Sequence, residues 1–183
     1  MARKRRLGGG LVAGLVAFVA GYLLLFAVKG NQIMTNFFRG MRASGTGPQQ
    51  FQEMGIALPE QWKIVGMVYH TLHNVPYSLS ISRGGQSFTT TAGRGFMTGD
   101  FIPWLIPMLV LFVAGFVLAS SLRPTSRRDG GITGASVAVG YCLAAVATSF
   151  VFMWSATITT GTAASISMGP DLLSTVIFTG LVF

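Results

Sequence analysis

Four apolar runs, separated by polar stretches of unequal length, set the pattern of this chain. Leu7 to Val28 and Phe101 to Leu122 are each 22 residues without a charge, and Ile132 to Thr157 continues uncharged in the same way. At 1.5 Å per residue, 22 helical residues reach about 33 Å, enough to cross a hydrocarbon layer of about 30 Å. Pro103 and Pro107 fall in the first two turns of the second run, where amide hydrogens lack helical partners anyway. The fourth run opens well for a helix, with Pro170 at the first position and Asp171 in the first turn. Only 14 residues remain from Pro170, about 21 Å of helix, so the last span either stops inside the membrane against other helices or, the favoured expectation, continues beyond Phe183.

Between the first two runs lies a long segment, Lys29 to Asp100, with its own periodicities. Leu58, Trp62, Val65, Tyr69 and Leu72 recur at steps of four and three, predicting a helix over about 59–74 that starts at Pro59 and stops before Pro76. Ile64, Met67 and Val68 make its other side apolar as well, which predicts burial on all sides. Tyr77, Leu79 and Ile81 then alternate with Ser78, Ser80 and Ser82. Gly84-Gly85 and "QSFTTT" follow, a pattern for a β-hairpin over about 77–91. Arg39 to Gln50 and "AGRGFMTGD" read as loops.

Composition agrees with lipid burial. Hydrophobic residues make up 51% of the chain and charged ones 10%, with a mean hydropathy of +0.59. A soluble domain carries about 25% charged residues. The fold class expected is therefore an all-α integral membrane protein of three to four transmembrane helices with a small external α+β insertion. The net charge of +8 matters through its placement rather than as a nucleic-acid footprint. Four basic residues, Arg3 to Arg6, precede the first run, and Arg123, Arg127 and Arg128 sit in the 123–131 loop. The 158–169 connection has none, so the amino terminus and the 123–131 loop are expected on the cytoplasmic side of a cytoplasmic (plasma) membrane. A cleaved signal peptide or a pilin-like leader fits less well. The first run exceeds an ordinary signal core, lacks a clear small-x-small cleavage site and is followed by further spans.

Candidate chemistry is sparse. His70 and His73 share one face of the predicted helix, and Asp100 is the acid nearest the next span, making a speculative external polar site. Two histidines are one ligand short of a catalytic zinc, and capping or hydrogen bonding at the helix end is the expected role. The single cysteine, Cys142, excludes an internal disulfide. No phosphate loop, nucleophile elbow or dinucleotide fingerprint is present. The three long runs contain no ionisable residue of the kind that marks ion paths. Hydroxyls at Ser136, Thr148, Ser149, Ser155, Thr157 and Thr159 could line a pore, although interhelical hydrogen bonding is their commoner use. Gly10, Gly14, Ala17 and Gly21 form a small-residue face for close helix packing, within the chain or between copies.

The stretches "LVAGLVAFVAGYLLLF", "QWKIVGMVYHTLHNV", "VAVGYCLAAVA" and "PDLLSTVIFTGLVF" resemble uncharacterised four-helix membrane proteins of halophilic archaea, some of them labelled transporters. That resemblance implies no catalytic residues, and a last helix that continues past "GLVF". The expected function is a non-enzymatic structural or accessory component of a homo-oligomeric or larger membrane assembly, with no cofactor or metal. Its partners would be lipid, further copies or other membrane subunits, not nucleic acid. The alternative is a small-solute or ion transporter with a hydroxyl-lined path.

Overall fold

The computed structural model describes residues 2–43, 45, 47–53, 55–83, 85–92, 102–122, 124, 126–158 and 164–181. In chain order the elements are α1 (Ala2–Ala43), α2 (Pro48–Glu53), α3 (Gln61–Thr71), β1 (Tyr77–Arg83), β2 (Gln86–Ala92), α4 (Ile102–Leu122), α5 (Arg127–Val151), β3 (Trp154–Ile158), β4 (Ala164–Pro170) and α6 (Leu172–Leu181). By length and composition α1, α4 and α5 can each cross a membrane. This is a membrane-associated protein, mostly helical, with a small antiparallel sheet.

Several boundaries differ from the sequence reading, each for a local reason. α1 does not stop at Val28 but runs unbroken to Ala43, about 63 Å in all, so its last turns project well beyond a bilayer. Arg39 to Ala43, read as loop, belong to it. α5 begins at Arg127 rather than Ile132, because the Ser126 side chain accepts a hydrogen bond from the Asp129 amide at 3.1 Å and caps the first turn. It ends at Val151, not Thr157: the tail of that apolar run is strand β3. An apolar run is ambiguous between helix and strand until its pairing partner is known. Here the partner is β4, drawn from a segment read as a plain connection. α6 is capped by Asp171, whose carboxylate accepts from the Ser174 amide at 2.8 Å, while Pro170 ends β4 instead of opening the helix.

The hairpin is half of a larger sheet. All its pairings are antiparallel, in the order β2-β1-β4-β3. Register places Ser80 opposite both Thr89 and Ser167, and Ser167 opposite Ser155, so one face is a field of hydroxyls. The other face carries Leu79, Ile166, Ala156 and Ile158 against the apolar core.

Helix packing depends on the absence of side chains at one crossing. α1 and α5 approach so closely that a methyl added at Gly14 would meet the Val137 carbonyl and lie 2.6 Å from the Tyr141 amide. One added at Gly140 would strike the Leu11 backbone. Lipid tails are as apolar as the helices, so the contact is held by close packing rather than by escape from water. Gly14→Ala is therefore expected to lower stability in detergent by about 1–3 kcal/mol. Gly115→Ala, where the added methyl meets nothing within 4 Å, should leave stability unchanged or slightly raised. Thermal unfolding followed by circular dichroism distinguishes the two.

Candidate functional site

α3 is too short to cross a membrane, yet it lies beside the helices that do. It runs antiparallel to α1. Near its start the Gln61 side chain donates to Asn31 Oδ1 at 3.3 Å, and Tyr22 donates its hydroxyl to the Trp62 carbonyl at 3.1 Å. Near its end Tyr69 packs edge-on against Phe18, ring centroids 5.0 Å apart. Asn31 to Phe18 is about 20 Å along α1. Hydrocarbon about 30 Å thick, counted from Leu7, reaches about residue 27, so Phe18 falls near its middle. α3 thus ends beside the middle of the apolar run of α1.

A helix end buried in this way leaves four carbonyls that need donors from within the protein. Here each one has a donor. The Val68 carbonyl takes the Leu72 amide at 3.1 Å and the Thr71 hydroxyl at 2.8 Å. The His70 carbonyl takes the amides of His73 and Val75, and the Thr71 carbonyl takes that of Asn74. Asn74 supplies the left-handed turn that ends the helix (φ 63°), a conformation asparagine tolerates. The fourth carbonyl, Tyr69, is taken by the His73 ring: Nδ1 donates to it at 2.7 Å.

That bond fixes the rest. With the proton on Nδ1, the Nε2 atom of a neutral imidazole is an acceptor. It lies 2.7 Å from the Tyr141 hydroxyl, which therefore donates to it and accepts from the Tyr69 hydroxyl at 2.8 Å. The result is a directed ring of hydrogen bonds that leaves and re-enters Tyr69 through Tyr141 and His73. Phe18 covers it, edge-on to Tyr141 and stacked on His73. All four rings are at most 2% exposed.

His70 is placed differently. Thr148 donates its hydroxyl to the Ala144 carbonyl at 2.8 Å, so at 3.2 Å from His70 Nε2 it serves as acceptor. The proton of His70 is then on Nε2, and Nδ1 holds a lone pair. That atom is buried and has no hydrogen-bond partner.

The sequence-predicted positions separate accordingly. His70 and His73 are buried inside the bundle instead of facing outward, and Asp100 lies outside the described residues. Gly10 and Gly14 face Ser136 and the Val137–Tyr141 backbone of α5, Gly21 faces the Tyr69 hydroxyl, and Ala17 is buried. That small-residue face is used within the chain. Among the hydroxyls, Ser136 bonds back to its own helix and Ser149 reaches Thr175 on α6 at 3.2 Å. Ser155 and Thr157 are on β3, and Thr159 lies outside the described residues. Cys142 accepts from Thr179 on α6. Tyr69 and Tyr141 emerge as site residues only from the structure, and Thr148, a candidate pore hydroxyl in the sequence, is the hydrogen-bond partner of His70. The available signal was Tyr141 itself, a phenol in an uncharged span that needs a partner when buried. At the sheet's inner end, burial pushes the Tyr77 phenol above its ordinary pKa. Among the described residues, no three or more His, Cys, Asp or Glu side chains are grouped to hold a metal.

The model of a family of unknown function, DUF7978, matches residues 1–183. The chain belongs to that family. No curated protein and no solved structure matches it.

Tyr141→Phe removes the donor to His73 and the acceptor of Tyr69 together. It is expected to cost about 2–4 kcal/mol in detergent, against about 1 kcal/mol for Ser149→Ala, measured by thermal unfolding.

Proposed function

We propose that this protein is a non-enzymatic structural or accessory component of a membrane assembly, homo-oligomeric or larger, that holds its four-stranded sheet rigidly at the external face of the cytoplasmic membrane. The observation that carries this reading is the coupling of the sheet to both inserted helices. β1 follows the capped end of α3, β4 leads into α6, and the Asp171 amide donates to the Pro76 carbonyl at 2.9 Å where the two meet. A sheet anchored in this way is positioned, not tethered. Among the described residues its outer strands, β2 and β3, each pair on one side only, and its hydroxyl face is uncharged. Both features suit a protein neighbour that adds a strand or lies flat on the sheet. With the basic segments on the cytoplasmic side, the sheet faces outward.

Purification from native membranes in mild detergent tests this. The expected result is a stoichiometric complex, of several copies or with other subunits, that dissociates when Thr89 on the β2 edge is replaced by proline. A monomer under all mild conditions overturns the proposal. A tag on Met1 should be reached by protease only after the cells are permeabilised.

A second reading, transport of protons or small solutes, is favoured by one atom: the unpaired lone pair of His70 Nδ1, buried beside Thr148. Flux into liposomes holding only this protein, and its loss in His70→Phe, would support it. A His70→Phe variant as stable as wild type, in vesicles that show no flux, leaves the structural reading standing.

A further inference from the structure

A groove of about 290 Å³ runs between α1 and α4, walled by Ala13, Val16, Ala17 and Ala20 on one side and by α4 from Val110 to Ser121 on the other. Its lining is hydrocarbon apart from the Ser121 hydroxyl at one end. The mouth opens outward from the bundle, since Val16 and Val117 on opposite walls are 61% and 56% exposed. Three alanines on α1 create it by standing where larger side chains would close the gap.

Its dimensions choose the occupant. Val110 to Ser121 spans about 16 Å of helix, so the 290 Å³ is drawn out along a long, narrow groove. A helix with its side chains is about 10–12 Å across and cannot enter. One extended hydrocarbon chain can. Left empty, the walls would forfeit dispersion contacts along their whole length.

The polar end selects the headgroup. Ser121 is in the last turn of α4, and the next helix opens with Arg127 and Arg128, both exposed, against one acid, Asp129. α1 runs antiparallel to α4, with Gly9 beside Leu118, so the first turns of α1, carrying Arg3, Lys4, Arg5 and Arg6, lie at the same end. We propose that the groove is a binding site for one acyl chain of an anionic phospholipid, with its phosphate at Arg127 and Arg128.

Native mass spectrometry of the full chain, exchanged into an equal mixture of phosphatidylglycerol and phosphatidylcholine with identical tails, tests this. Wild type should retain one lipid and prefer phosphatidylglycerol on the order of tenfold. Val117→Trp and, independently, Ala114→Phe fill the groove and should lose the retained lipid of either kind. Arg127→Gln with Arg128→Gln should keep a bound lipid while the preference falls toward parity. Retention in both groove variants would show a general attraction to the basic end and overturn the site. Equal retention of the two lipids by wild type would overturn the headgroup assignment. A dimer abolished by Val117→Trp would give the groove to a second copy and overturn the proposal too. Unfolding midpoints, together with recovery as a single species, identify any variant that has not folded; the other groove variant then decides.

Discussion

The carbonyls at the buried end of α3 are the constraint on which this fold rests. A helix may stop inside a membrane only if the last turn finds donors within the protein. Amides of the following turn serve most of them, as at any well-formed helix end, but Tyr69 is served by a side chain. With His73 Nδ1–H donating to that carbonyl, the other nitrogen of a neutral ring needs a donor such as a hydroxyl. Tyr141 on α5 meets it, and the position of α5 relative to α3 follows. Glycines on α1 and α5 then allow the two long helices to close around the ring. Helix termination and bundle geometry are one problem with one solution.

The same logic accounts for the sheet. Chain leaving the capped end of α3 passes Pro76 and returns toward the surface as β1, and chain entering α6 arrives as β4. The two strands pair along their whole length, and the Pro76 carbonyl, just before β1, accepts the Asp171 amide just after β4. α6 packs on α5 through Thr175 and Thr179, so both inserted helices bear on the same span. The sheet's inner end, with Tyr77, Trp154 and Met168 buried, is continuous with the helical core.

Much of this was legible in the sequence, for reasons that are local. Charge-free length identified α1, α4 and α5, and the four-three spacing from Leu58 to Leu72 identified α3 as buried on all sides. Period-two alternation from Tyr77 to Ser82 identified β1. What the sequence hid depended on partners distant along the chain. β3 is the end of an apolar run that reads as helix until β4 lies beside it, and the Asp171 cap only displaces Pro170 from α6 because β4 claims the proline. Of the two histidines, His73 caps the end of α3 and His70 bonds Thr148 on α5. Their place inside the bundle follows from the depth of α3, and no local pattern encodes depth.

Among the described residues the buried polar side chains are phenols, hydroxyls and imidazoles, with no carboxylate, lysine or arginine. Neutral groups avoid the large desolvation cost that an ion pair would carry at this depth, so a span can hold a structured polar core with no ionisable carboxylate or lysine in it. Within that core the two imidazoles are not equivalent. His73 has both nitrogens engaged and is accounted for by the helix end it caps. His70 uses one nitrogen to reach Thr148 and leaves the other bare, a local inconsistency in a site where every neighbouring polar atom is paired. Capping cannot explain it, because the backbone around it is already satisfied without that atom. Inconsistencies of this kind concentrate where a protein does something besides fold. His70 Nδ1 is thus the one polar atom of this core that the packing of the described residues does not account for.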